Sequence, residues 1–354
     1  MKRIFSAFKI ILLPFSAIYS AIAFIRNKLY DWKILPSSHG ILPSIIIGNL
    51  TVGGTGKTPM TIFLAQFLSK KYKLAILSRG YKRKSNQCII SNGKQSTRNL
   101  GDEPKLIAQK TGLPVAICSN RHKGLKLIKQ TLPKTEIVIL DDAFQHRKLI
   151  GNLNILLIDY NKPVFNDLFL PTGRLRDNLY RIKQADIIIF TKCPHNLSIE
   201  KAKLLVKKTK KNQKNVFFTT TKYHNLINPY TKKTIEFKEL YKYKTITISG
   251  IANNKQFTQF LNKHTKIIKQ YSFADHKQYK LLELKKIFYN FAKIYSEHKV
   301  LITTEKDFVK IEEFDLETDI KEKLFVLPVS IEFLFDDYEH FKQKIINIWK
   351  KIYY

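Results

Sequence analysis

Residues 45–59 read Ile45-Ile46-Ile47-Gly48-Asn49-Leu50-Thr51-Val52-Gly53-Gly54-Thr55-Gly56-Lys57-Thr58-Pro59, an aliphatic run entering a glycine-rich turn and then Gly-Lys-Thr. No other stretch constrains the fold so tightly. An apolar run that does not alternate with polar residues describes a strand buried on both faces. The glycines let backbone N–H groups close around an anion, and the amphipathic stretch 58–70 aims a helix N-terminus at the same point. Lys57 can then reach the β- and γ-phosphates of a nucleotide, and the Thr58 hydroxyl can ligate Mg²⁺. The nucleotide-binding set is therefore Thr51, Val52, Gly53, Gly54, Thr55, Gly56, Lys57 and Thr58. It departs from the usual loop at one place, where Thr51 stands for the first glycine.

Further aliphatic runs at 74–77, 115–117, 137–140, 155–158 and 186–190, separated by helical stretches such as 123–130, repeat the same alternation. That order implies an α/β fold: a mainly parallel sheet covered by helices, of the phosphate-loop NTPase kind. A second set of strands is expected at 245–249, 266–271, 300–303 and 324–328, with 216–220 and 234–237 near a boundary. The expected partition is an N-terminal apolar helix over 1–30, a phosphate-loop domain over 31–220, and a smaller C-terminal α/β lobe over 221–354 that closes over the cleft.

The front of the chain is different in kind. Ile10 to Ile25 carry no charge, with Lys2, Arg3 and Lys9 before them and Arg26, Lys28 and Lys33 after. A spanning helix needs about 20 apolar residues, and bases on both sides do not suit a simple orientation rule. An interfacial helix fits best, its apolar side sunk at the headgroup boundary and its bases on an anionic membrane surface. A spanning segment and a plain core helix remain the alternatives.

The formal net charge is +34. Lys supplies most of it along the whole chain, as a solvated surface tolerates. The ten arginines are instead confined to the part up to Arg181. A planar guanidinium in a Lys-rich chain marks places where bidentate phosphate or carboxylate binding counts. No basic stretch interleaved with stacking aromatics suggests nucleic acid, and no obligate protein partner is inferred. Cys88, Cys118 and Cys193 lack metal-site spacing and read as reduced thiols.

Acidic residues complete the pattern. Asp141 and Asp142 follow an aliphatic run at the end where a strand meets the phosphate loop, as Mg²⁺ ligands do. Asp102 lies in Gly101-Asp102-Glu103-Pro104, a turn able to present a carboxylate to a cleft, or to cap the helix that follows.

With these in place, the chain resembles the tetraacyldisaccharide 4′-kinases of lipid A synthesis. The resemblance rests on ordered motifs over residues 44–307: Gly48–Pro59, Ser78-Arg79-Gly80-Tyr81, Gly101–Pro104, Asp141-Asp142-Ala143-Phe144-Gln145-His146, Leu170-Pro171-Thr172-Gly173-Arg174-Leu175-Arg176-Asp177, Phe273-Ala274-Asp275-His276 and Thr304-Glu305-Lys306-Asp307. Two positions depart from the family pattern, Ala143 standing for Gly and Asp177 for Glu. The resemblance implies ATP and Mg²⁺ as cosubstrates. It implies an acylated glucosamine disaccharide 1-phosphate phosphorylated at its 4′-hydroxyl, giving a lipid A precursor at the cytoplasmic face of a bacterial inner membrane. It also implies Asp102 as the base acting with His276, beside Lys57, with Thr58, Asp141 and Asp142 at the metal. Arg79, Arg121 and Arg174 are candidates for phosphate contacts that the sequence does not sort. The alternative is a switch ATPase of the partition or targeting type, against which Val52 speaks, since those carry a signature Lys before the paired glycines.

Overall fold

The computed structural model describes residues 2–81, 83 and 87–353, with side chains described from residue 10 to residue 350. The flanking bases Lys2, Arg3 and Lys9 lie outside the described side chains. A nine-stranded sheet forms the first lobe, in the order Val329–Phe333, Val216–Tyr223, Ile187–Thr191, Leu153–Asp159, Ser44–Gly48, Ile137–Leu140, Leu74–Ser78, Val115–Ile117, Ile89–Ser91. All neighbours are parallel except at the two edges. The non-alternating aliphatic runs are explained by burial on both faces. Ile46, Ala75, Leu77, Val138 and Leu140 enter one core, while Ile45, Ile47, Ile76, Ile137 and Ile139 enter the other.

The second lobe is a six-stranded sheet in the order Thr234–Ile235, Leu226–Ile227, Leu324–Leu327, Lys299–Thr304, Lys244–Ser249, Lys266–Ser272. It does not run to residue 354. After Leu327 the chain returns to the first lobe, where Val329–Phe333 pairs antiparallel with Val216–Tyr223. The C-terminal helix Tyr338–Tyr353 then buries Phe341, Ile345 and Trp349, one turn apart each time, against the first sheet. The boundary near 220 marks only the outgoing crossing. The return was hidden because a single edge strand has the same apolar signature in either lobe.

The N-terminal helix, Lys2–Asp31, docks with its sides reversed. Among its described side chains Ser16, Asn27 and Tyr30 are buried; the polar atoms of Ser16 and Asn27 hold the helix down, and the Tyr30 ring packs under the Arg147 guanidinium. The Ser16 hydroxyl donates to the Phe169 carbonyl at 3.0 Å, and the Asn27 amide donates to Asp177 Oδ1 at 2.6 Å. Ile10, Ile11, Phe15, Ile18, Ile22 and Ile25 face outward and are exposed. The stretch Ile10–Asp31 is long and apolar enough to cross a membrane, with a mean hydropathy of 1.6 over its most apolar window.

The expectation of reduced thiols is also corrected. Cys88 and Cys118 form a disulfide rather than two thiols. Antiparallel pairing of Ile89 with Ile117 brings the flanking cysteines to a Cα separation of 4.5 Å, which their 30-residue spacing conceals. Cys193 is a buried thiol, pushed up to about 12 by burial.

Candidate active site

The phosphate loop is built as its residues dictate. Gly48 ends the central strand with Phe144 so close that an added Cβ would lie 2.5 Å from Phe144 Cβ, so only glycine fits. Thr51 departs from the usual glycine because its backbone is extended here. It bridges Leu175, and the adjoining Val52 N–H donates to the Arg174 carbonyl at 2.8 Å. A β-branched residue suits that conformation. Gly56 has φ +85° at the N-cap of the helix Lys57–Leu68, a left-handed turn that glycine adopts without strain. The Thr191 hydroxyl donates to the Thr55 carbonyl at 2.8 Å, and Lys192 binds both the Gly54 carbonyl and Asp159. The Thr191-Lys192 pair thus braces the loop.

Asp141 and Asp142 lie beside it at the end of Ile137–Leu140. Burial pushes Asp141 up to about 7, with the charges of Glu103 and Asp142 adding to the effect. It accepts from the Thr61 hydroxyl at 3.1 Å. Burial would raise Asp142 too, but Lys57 and Arg176 outweigh it and hold this carboxyl below its ordinary value. Lys57 Nζ is 3.7 Å from Asp142 Oδ1, and Arg176 grips both carboxylate oxygens. Asp142 has φ +50°, a conformation that Asp tolerates, and Ala143 fits behind it fully buried, donating to the Ile47 carbonyl at 3.1 Å.

Among the described residues no three His, Cys, Asp or Glu side chains gather at metal-ligating distance. The donor set of Thr58, Asp141 and Asp142 is nevertheless the kind Mg²⁺ uses, one or two carboxylates with phosphate oxygens and waters completing the octahedron.

Asp102 opens the helix Asp102–Thr111 behind Gly101, whose φ of +92° sets the turn. Its carboxylate faces the other lobe. His276, in a left-handed backbone conformation with φ +59°, places Nδ1 3.0 Å from both Asp102 oxygens. Although burial alone would raise Asp102, His276 and then Lys306 bring it down to about 2. The Tyr81 ring meets the imidazole edge-on, with centroids 5.3 Å apart.

The structure also sorts the arginines. Arg121 is buried and donates to the backbone carbonyls of Cys118, Asp141 and Asp142, so it shapes the acidic turn. Burial lowers it to about 10. Arg174 pairs with Asp167 at 2.7 Å, whereas Arg79 is exposed directly after the strand Leu74–Ser78. Asp177 pairs with Arg181 and Asn27, a contact within the first lobe that its shorter side chain makes. His146, lowered to about 4 by burial and nearby cations, sits in the turn after Gln145, whose amide binds the Asn49 carbonyl.

Two residues escape a reading from sequence alone. Glu103 acts on Asp141, and Lys306 reaches Asp102, Glu103 and Asp275. The available signal was in Thr304-Glu305-Lys306-Asp307, where Thr and Asp at that spacing make a helix start and leave Lys306 without a local task.

A family profile described as tetraacyldisaccharide-1-P 4′-kinase matches residues 8–350. The tetraacyldisaccharide 4′-kinase of Flavobacterium psychrophilum is 39% identical over 341 residues, 95% of each chain. That of Phocaeicola vulgatus is 36% identical over 347 residues, 96% of this chain and 95% of its own. A crystal structure of Aquifex aeolicus LpxK in complex with ATP superposes with a TM-score of 0.74 at 32% identity, covering 96% of this chain and 99% of that one.

Proposed function

From the premise that the chain belongs to the tetraacyldisaccharide-1-P 4′-kinase family, we propose which of its own residues carry out the reaction and where. It is an ATP- and Mg²⁺-dependent kinase that phosphorylates the 4′-hydroxyl of an acylated glucosamine disaccharide 1-phosphate in lipid A synthesis. The matches favour this activity over a switch ATPase.

Residues 51–58 cradle the triphosphate with backbone N–H groups, and Lys57 neutralises the charge between the β- and γ-phosphates. Thr58, Asp141 and Asp142 would hold Mg²⁺, which when bound neutralises phosphate charge and fixes the phosphate oxygens. Asp102 takes the proton of the 4′-hydroxyl as that oxygen bonds to the γ-phosphorus and the bond to the β-phosphate oxygen breaks, releasing ADP. A weak base is enough, because in a loose transition state the nucleophile keeps its proton until late. His276 orients the carboxylate and stabilises its charge. The observation that carries this reading is the 3.0 Å contact between Asp102 and His276, one residue from each lobe. The pair forms only when the lobes meet, so substrate enclosure and base assembly coincide.

The reversed N-terminal helix supports action at a membrane surface. Its outward isoleucines and phenylalanines cost free energy in water and gain it in hydrocarbon, while Arg26 and Lys28 stay at the headgroups. An acceptor whose acyl chains remain in the bilayer would be met there, at the cytoplasmic face of the inner membrane.

The test is transfer of label from [γ-³²P]ATP to the acylated disaccharide 1-phosphate in mixed micelles. Labelled lipid is expected with the wild type, falling by about 10²–10³-fold in Lys57→Ala as charge stabilisation is lost. ATP hydrolysis without labelled lipid would reject the kinase reading.

A further inference from the structure

Thr304 and Asp307 fix the first turn of the helix Glu305–Ile311. Thr304 Oγ1 accepts from the Asp307 N–H at 3.1 Å. Asp307, fully buried, accepts from the Tyr279 hydroxyl at 2.9 Å and the Gly250 N–H at 2.8 Å. Lys306, between them, points the other way, across the lobe boundary. Its Nζ lies 2.9 Å from Glu103 Oε1, 3.1 Å from Asp275 Oδ1, 3.8 Å from Asp102 Oδ2 and 3.5 Å from His276 Nε2. One ammonium thus touches both members of the catalytic pair and a further carboxylate from each lobe.

We propose that Lys306 is a positioning residue for phosphoryl transfer, its ammonium joining the carboxylates of the two lobes so that lobe closure and alignment of Asp102 with His276 are one event. The inference rests on the kinase reading above and adds to it the cation that makes the pair possible. Asp102, Glu103 and Asp275 are three carboxylates converging on one point. Without a cation, closure would press like charges together in a partly desolvated cleft. An ammonium only donates, so the imidazole nitrogen facing it accepts. That contact favours the tautomer whose proton sits on Nδ1, toward Asp102. Burial alone would lower the Lys306 ammonium, yet Glu103, Asp102 and Asp275 outweigh it and raise it, so it stays charged.

Lys306 is not what holds the helices together. Lys105 pairs with Glu312 at 3.0 Å and Glu313 at 2.9 Å, and Lys110 pairs with Glu305, so Asp102–Thr111 and Glu305–Ile311 stay joined without it. A charge role and a packing role are therefore separable.

The experiment compares steady-state transfer to acceptor lipid in mixed micelles, and Mg-ATP binding, for the full chain, Lys306→Met, Lys306→Arg and the double variant Lys306→Met/Asp275→Asn. Lys306→Met should lower kcat by about 10²-fold, the scale of a misaligned base, with Mg-ATP affinity within about twofold of wild type. Lys306→Arg, which keeps the charge, should recover most of kcat. Removing one carboxylate in the double variant should recover about tenfold, as local repulsion falls. Near-wild-type kcat in Lys306→Met, a loss confined to ATP binding, or no recovery in either companion variant would overturn the proposal. Should Lys306→Met fail to bind nucleotide at all, Lys306→Arg and the double variant decide on the same criteria. A wild type that labels no lipid rejects the kinase reading and this inference with it. An active wild type beside an equally active Lys306→Met rejects this inference alone.

Discussion

His276 Nδ1 lies 3.0 Å from both carboxylate oxygens of Asp102, although 174 residues separate the two. The contact joins the first turn of a helix in one lobe to a left-handed residue after a strand in the other. It is where the two sheets acquire a common purpose.

Asp102→Asn keeps the shape of the side chain and removes its charge. The kcat for lipid phosphorylation should fall by about 10²–10⁴-fold, the usual contribution of a positioned base. Mg-ATP affinity should hold, since the phosphate loop is untouched. His276→Ala should shift kcat in the same direction. A variant weakened only in ATP affinity would remove Asp102 from the proton-accepting role.

The same residue sets an acid-side stability window. Asp102 is held at about 2, below the ordinary value of 3.8. A carboxyl whose pKa is depressed on folding contributes stability above its unfolded value and loses it as pH falls through the folded one. Its share is therefore present above pH ~4 and lost between pH ~4 and pH ~2, and amounts to about 2 kcal/mol. Urea unfolding of wild type and Asp102→Asn at several pH values should show a gap that narrows over that window. A gap independent of pH would mean that Asp102 carries no such coupling.

The outward face of the N-terminal helix should govern membrane binding alone. Ile18 and Ile22 are 59% and 62% exposed, so replacing both by Asp disturbs no packing. Each buried isoleucine is worth about 1.5–3 kcal/mol in an apolar environment, and co-sedimentation with anionic vesicles should drop by at least about tenfold. Mg-ATP binding should be unchanged. Equal sedimentation of variant and wild type would reject the docking role of this face.

Trp349→Ala tests the return of the chain to the first lobe. Trp349 is 1% exposed and packs with Phe341 and Ile345 against the phosphate-loop sheet. Losing a large core side chain costs about 3–5 kcal/mol, so the denaturation midpoint should fall, and stabilisation by Mg-ATP should still be seen. A variant of unaltered stability would place this helix outside the core.

How much of this was legible beforehand follows from the range of each interaction. The strand, loop and helix around Lys57 were readable because their determinants are contiguous: aliphatic residues for a doubly buried strand, glycine for a left-handed turn, Lys and Thr on the first helical turn. Asp141 and Asp142 were readable because they end such a strand. The reach of the second lobe was not, because Val329–Phe333 chooses its sheet by pairing with Val216–Tyr223, and pairing is a tertiary event. The Cys88–Cys118 link was hidden for the same reason, since register alone sets it.

The amino-acid sequence by itself determined the phosphate loop, the doubly buried parallel sheet and the charge-free helix at the front, because each depends on residues within a few turns of one another. Only the tertiary structure decided that the front helix turns its polar stripe inward, that Arg121 serves backbone carbonyls, and that Lys306 stands between Asp102, Glu103, Asp275 and His276. Those outcomes depend on distances between groups far apart in the chain, such as Lys306 and Glu103, 203 residues from each other, and charge and burial act through space rather than along the chain.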